Sequence, residues 1–272
     1  FAKGHSASYA VESYQSLYLK RYFPLEYMTA TLNNGGGFYR PELYVHEARM
    51  CGATIEAPCI NRSDIANVIK GTSIYLGYSF INELEKKTMT QIIEARWRDG
   101  DFTSLEDFIN RELISIDQIS LLIRINAFRF TGTDRYELLW QAHFKMDKTP
   151  KKALQKQLFV PKHREASIPQ LTTTQQELAF EQIELLGFPL CSHFDLLTRP
   201  TRNDKTRKDL KEHLNGMILI YGYVVNIKTT HTGKGKRMQF GTFLDRDGHF
   251  FDTVMFPPVA ARITFRGSGI YA

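Results

Sequence analysis

Cysteine is scarce in this chain of 272 residues: Cys51, Cys59 and Cys191 are the only three, and none forms a C-x-x-C pair. An odd, unclustered set argues against a disulfide framework and a structural zinc site, and makes a reducing cytoplasm the default compartment. Long apolar runs are missing as well. The longest, Met217 to Val225 with a glycine inside it, falls far short of the roughly 20 residues that cross a bilayer. The chain does not open on a basic-then-apolar segment of the signal-peptide kind. It has no H-x-x-x-H pair, no G-x-x-x-x-G-K-[ST] phosphate loop, no nucleophile elbow and no repeat of fixed period. Residue chemistry alone therefore offers no active site.

What is present is ordinary globular composition, 43% apolar and 24% charged, long enough for about two domains. The formal charge is +6. The chain begins at Phe1 and stops at Ile270-Tyr271-Ala272 in strand-like sequence, so a piece of a longer protein is expected.

Helical spacing predicts helices over 6–20, 24–32 and 41–50, the last two opened by Pro24 and Pro41. Asn33-Asn34-Gly35-Gly36-Gly37 and Gly52 supply the stops. Residues 55–61 are expected to be extended around Pro58. A helix follows over 88–98 with Ile92, Ile93 and Trp97 inward. Another is capped by Ser104, with Asp107 three residues on. Further helices are predicted over 117–128, 134–144 and 174–186, Thr174 capping the last and Gly187 ending it. After Asn215 the period becomes two, predicting strands over 217–227, 237–244 and 249–256, with turns at 231–235 and 245–248. The expected class is multidomain: mainly α, followed by an all-β module.

Several motifs tempt. Asp245-Arg246-Asp247-Gly248 has the look of a metal site but sits between two strands, where Asp-Gly is a turn signal. Gly233-Lys234-Gly235-Lys236 and Gly35-Gly36-Gly37 lack phosphate-loop spacing. Cys51 and Cys59, even with His46, lack a fourth ligand and are expected to be buried thiols.

Four signals rise above these. Residues 145–164 carry Lys145, Lys148, Lys151, Lys152, Lys156, Lys162 and Arg164 against Asp147 alone. That is the whole charge excess, since 28 basic and 28 acidic residues remain elsewhere. The segment is either a contact for an acidic partner or a solvated linker. Within it, Gln155-Lys156-Gln157-Leu158-Phe159 pairs two apolar anchors with a hydrogen-bonding glutamine, as groove-binding peptides do. In the β module, Lys228, Lys234, Lys236 and Arg237 lie between strands bearing Tyr221, Tyr223, Phe240 and Phe243, the layout of an oligonucleotide-binding (OB) fold, though half of those rings must face a core. Finally, the helices around Ile125-Asn126-Ala127-Phe128 and Gly132 form either a phosphate-facing helix-hairpin-helix or a structural corner.

Together these resemble a known family, the DnaE-type alpha subunits of bacterial DNA polymerase III, in their C-terminal half. Phe1 to Ala10 is similar to the family's F-x-K-S-H-A-x-A-Y-A. Tyr22 to Met28, Glu47-Ala48-Arg49-Met50-Cys51-Gly52 and Ile93-Glu94-Ala95-Arg96 follow in the family's order. So do Phe102 to Arg111, Leu121 to Phe128 with Asp134-Arg135, and Glu184 to Leu190 with Ser192-His193. The Gln155 to Phe159 spacing resembles the peptide by which bacterial replication proteins hold the sliding clamp.

The resemblance implies an architecture: residues 1–70 as the end of the polymerase fingers, 71–200 as a clamp-binding domain with helix-hairpin-helix elements and the basic linker 145–170, and 201–272 as an incomplete OB-fold. It implies fingers contacts to nucleotide or template from Lys3, His5, Ser6 and Tyr9. It implies clamp binding by Gln155, Leu158 and Phe159, and single-strand contacts from Lys228, Lys234, Lys236, Arg237, Tyr223 and Phe240. The implied partners are the sliding clamp, primer–template DNA, single-stranded template and other replicase subunits, with no membrane. The implied parent is a Mg²⁺-dependent DNA-directed DNA polymerase of the cytoplasm. Its palm and metal ligands lie outside this chain, which holds no metal site or catalytic residue and is expected to be inactive alone. An error-prone paralogue and a non-catalytic nucleic-acid-binding module are the alternatives. One departure stands out: Glu83-Leu84-Glu85 replaces a G-V-G turn, so this hairpin is expected to meet DNA weakly or not at all. In the second hairpin Asn126 stands where Gly is usual, and Asn tolerates the same left-handed angles.

Overall fold

The computed structural model describes residues 3–111, 114–146 and 171–272. The chain divides into two compact units, Phe1–Leu190 and Cys191–Ala272.

The first unit is helical: α1 (Lys3–Tyr22), α2 (Pro24–Asn33), α3 (Pro41–Met50), α4 (Lys86–Asp99), α5 (Leu105–Arg111), α6 (Ile116–Arg124), α7 (Arg135–Met146) and α8 (Gln175–Leu186). Between α3 and α4 lie three short strands that the sequence did not announce, β1 (Thr54–Glu56), β2 (Val68–Lys70) and β3 (Ser73–Tyr75). They form a mixed sheet of order β1-β3-β2. Three-residue strands carry too little alternation to be seen as a period. Of the expected extended stretch, only Ile55 and Glu56 pair in a sheet.

The local signals hold where backbone chemistry dictates them. Pro24 and Pro41 each occupy a first helical turn. Ser104 Oγ accepts the Asp107 N–H at 3.0 Å. Thr174 and Glu177 form a reciprocal capping box, and Gly187 ends α8 in the left-handed region. Gly35 and Gly36 also have positive φ, confirming a helix stop. Two expectations fail here. α6 stops at Arg124 rather than running to Phe128, because Asn126 turns the chain at φ 63°. Trp97 is 82% exposed, while Ile92 is buried and Ile93 packs at the margin of the core.

One core joins α2 through α8 around Ile60, Leu76, Tyr78, Ile92, Phe108 and Phe128. Phe102, Phe108 and Phe128 pack edge to face in series, with centroids 5.1 and 5.0 Å apart. Leu32 and Val45 share this core with residues beyond 70, so the unit is continuous across the boundary expected there. α1 contributes no buried residue. Lys20 near its end pairs with Glu47 of α3 at 2.5 Å.

The second unit carries β4 (Gly222–His231), β5 (Arg237–Leu244), β6 (Phe250–Met255), α9 (Pro257–Ala260) and β7 (Ile270–Tyr271). Its antiparallel sheet has order β6-β5-β4-β7. β4 begins later than predicted, at Gly222, and carries a bulge between Val224 and Asn226 that curls the sheet. Val224, Phe243 and Phe251 fill the concave side. A Cβ on Gly241 would stand 2.6 Å from the Phe243 ring, so glycine is required there. This is the curled, OB-like all-β module that the sequence led us to expect.

Tyr78 is fully buried, and its hydroxyl lies 3.1 and 3.0 Å from the Cys59 and Ile60 carbonyls. Burial pushes its phenol well above the ordinary range. Replacing Tyr78 with Phe removes this donor and should lower stability by about 1 kcal/mol, read as a lower denaturant midpoint at unchanged slope.

Candidate nucleic-acid interface

Two turns in the helical unit have the hairpin geometry. Glu83 has φ 65° and Asn126 φ 63°, so each turn is built on a non-glycine residue in the left-handed region. For Asn this is tolerated; for Glu it is uncommon. The surrounding contacts hold it in place. Gln118 Oε1 accepts the Glu85 N–H at 2.7 Å, and Gln118 Nε2 donates to the Glu83 carbonyl at 3.0 Å. Asn82 donates to α8, from its N–H to the Leu185 carbonyl at 2.8 Å and from Nδ2 to the Glu184 carbonyl at 3.0 Å. Nothing in the sequence marked Gln118, because a glutamine on a helix is ordinary until its partners are known.

The arginines near these turns are engaged by partners within their own unit, Arg135 buried and Arg124 and Arg129 half-buried. Arg129 donates to the carbonyls of Pro58 and Ala57, each at 3.0 Å, and pairs with Glu56 at 3.1 Å. Arg124 pairs with Glu181 and Glu184 at 2.6 and 2.8 Å. Arg135 is 5% exposed and donates to the Arg124 carbonyl at 2.9 Å. Burial opposes charge on Asp134, yet N–H donors from Thr173 and Tyr136 hold its carboxyl below the usual range. Asp134 thereby fixes Thr173 beside the start of α7.

In the second unit the exposed side of the sheet carries a different set. Lys228, Phe240 and Val254 are direct cross-strand partners in one row across β4, β5 and β6. All three are exposed, Phe240 by 44%. Lys234, Lys236 and Arg237 are exposed at the adjoining β4–β5 turn, which closes through the Gly235 N–H to the Thr232 carbonyl at 2.8 Å. A ring flanked by an ammonium beside a cationic turn supplies the residue types that base stacking and phosphate neutralisation use.

Tyr223 departs from expectation. It is 7% exposed and stacks on His193 at 3.6 Å, so its faces are not open to a base. Lys3, His5, Ser6 and Tyr9 are exposed on α1, with His5 and Tyr9 edge to face at 4.5 Å. Gln155, Leu158 and Phe159 lie outside the described residues. Of the basic segment, Lys145 is described and pairs with Glu106 at 2.6 Å.

The candidate metal motifs resolve as structure. Asp245 is buried and accepts the N–H groups of Arg207 and His249, each at 2.8 Å. Asp247 pairs with Lys208 at 2.9 Å. Cys59 is buried as expected, whereas Cys51 is exposed. Among the described residues no three His, Cys, Asp or Glu side chains gather as a metal would require. Among them, too, no helix is long and apolar enough to cross a membrane.

Comparison with known proteins agrees with this geometry. Residues 52–138, spanning both turns, match the helix-hairpin-helix motif family. The chain is 29% identical over 266 residues to the DNA polymerase III subunit alpha of Aquifex aeolicus (strain VF5), covering 95% of this chain and 22% of that protein. It is 28% identical over 281 residues to the same subunit of Treponema pallidum (strain Nichols), covering 94% and 23%. An error-prone DNA polymerase of Vibrio parahaemolyticus serotype O3:K6 (strain RIMD 2210633) is 32% identical over 148 residues, 52% of this chain and 14% of that protein. The chain thus spans less than a quarter of the length of these curated relatives. With its helix-hairpin-helix unit followed by a curled OB-like sheet, the chain is similar over nearly its whole length to DNA polymerase III alpha subunits.

Proposed function

We propose that this chain is the DNA- and clamp-engaging part of a replicative DNA polymerase, with the catalytic palm elsewhere in the parent protein. The observation that carries the reading is the exposed row Lys228, Phe240 and Val254 beside the cationic β4–β5 turn. Here Phe240 stacks on a template base while Lys228, Lys234, Lys236 and Arg237 neutralise the flanking phosphates. Tyr223 drops out of this set because its ring is already stacked on His193. Lys3, His5, Ser6 and Tyr9 remain candidates for nucleotide or template contact, supported by resemblance and by exposure.

Clamp binding rests on Gln155, Leu158 and Phe159, supported by the resemblance of their spacing to a groove-binding peptide. Such a contact is about micromolar and gains strength when DNA is bound as well.

Mg²⁺ belongs to the parent reaction, where it would stabilise the attacking and leaving oxygens. The carboxylates of 245–248 do not fit that role, being engaged by backbone N–H groups and by Lys208. The isolated chain is therefore inactive in primer extension. Other replicase subunits and a cytoplasmic setting belong to the same reading. An error-prone polymerase is the second reading, favoured by a relative in Vibrio campbellii (strain ATCC BAA-1116) that is 26% identical over 92% of the chain.

Two outcomes test the proposal. Changing Leu158 and Phe159 together to Ala should abolish co-precipitation with the sliding clamp, and undiminished capture would sink the clamp assignment. Phe240→Ala should weaken binding to a single-stranded oligonucleotide by about 1–3 kcal/mol in a fluorescence anisotropy titration. Equal affinities of wild type and Phe240→Ala would remove the platform.

A further inference from the structure

We infer that Gln118 turns the first hairpin, residues 82–85, into an internal bracket, so that duplex DNA meets the helical unit only at the second hairpin. The inference rests on the DNA-binding reading above and deepens it. A helix-hairpin-helix turn reaches a phosphate with backbone N–H groups at the mouth of its second helix. In the first hairpin that donor is the Glu85 N–H, at the N-cap of α4. It is already given to Gln118 Oε1 at 2.7 Å, and Gln118 is itself buried. The amide oxygen of Gln118 thus takes the hydrogen that this N–H would otherwise offer a phosphate.

The rest of the turn is engaged in the same way. The Glu83 carbonyl accepts from Gln118 Nε2, and Asn82 holds the last carbonyls of α8. Three elements, α6, the turn and α8, thus meet through hydrogen bonds that a phosphate would have to break. Charge alone does not decide the matter, because exposed Lys86 and Lys87 follow Glu83 and Glu85 directly. The occupied donor decides it. At the second turn the corresponding donor is the Phe128 N–H, and among the described residues no side chain accepts it.

Amide exchange and chemical-shift mapping of the whole chain by NMR, with a 20-base-pair duplex as the probe, test this. In wild type the Glu85 amide should exchange slowly and stay unshifted by DNA, while the Ala127 and Phe128 amides shift. Gln118→Ala should speed Glu85 exchange at least tenfold. Gln118→Glu keeps an acceptor for that N–H and should keep it protected, which separates loss of the bracket from loss of the fold. A Glu85 amide that shifts with duplex in wild type, or exchanges at the same rate in Gln118→Ala, would overturn the inference. Should DNA move no amide at all, the DNA-binding reading fails instead, and the exchange comparison still decides whether the bracket exists.

Discussion

Residues 57–63 are buried at their centre yet belong to no helix and no strand, and the helical unit is organised around that constraint. Ile60 and Ser63 are completely buried. A buried backbone without a regular partner must be satisfied by side chains or lose several kcal/mol. Arg129 reaches the carbonyls of Ala57 and Pro58 from one side, and Arg96 those of Ile60 and Ser63, at 2.9 and 2.7 Å, from another. Asn61 exchanges two hydrogen bonds with Phe102, and Ser63 bridges the Cys59 N–H to the Leu76 carbonyl. The Ile60 N–H goes to Ala127, in the second hairpin. α4, α5 and that hairpin are therefore positioned by one irregular segment.

This changes how the charge is to be understood. Arg96, Arg124, Arg129 and Arg135 look like a DNA-binding set when counted along the sequence, but each donates to carbonyls or carboxylates of its own unit. Their planar forks suit that role better than an ammonium does. Exposed cations in the second unit include Lys228, Lys234, Lys236 and Arg237, while residues 145–164 hold the formal excess.

Much of this was legible in the sequence because it rests on local chemistry. Proline at helix starts, Ser104 and Thr174 as caps, glycine stops and the Asp-Gly turn follow from backbone geometry within four or five residues. The β4–β5 hairpin followed from its period of two. What escaped depends on partners distant in sequence. Tyr223 and Phe240 look alike as aromatic strand residues, but His193 covers one and solvent meets the other. Trp97 sits on the inward phase of α4 by spacing, yet the core closes on Ile92 and Ala95 and leaves the indole outside. Gln118 acquires meaning only through a turn 33 to 35 residues away.

The central claim is that the side chains neutralising single-strand phosphates are Lys228 and the cations of the β4–β5 turn, and not the arginines of the helical unit. The salt dependence of single-stranded oligonucleotide binding measures it most directly. Replacing Lys228, Lys234, Lys236 and Arg237 together with Ala should reduce the slope of log affinity against log salt by about 3, near 0.7 for each phosphate contact removed. A slope equal to that of the wild-type chain would contradict the account.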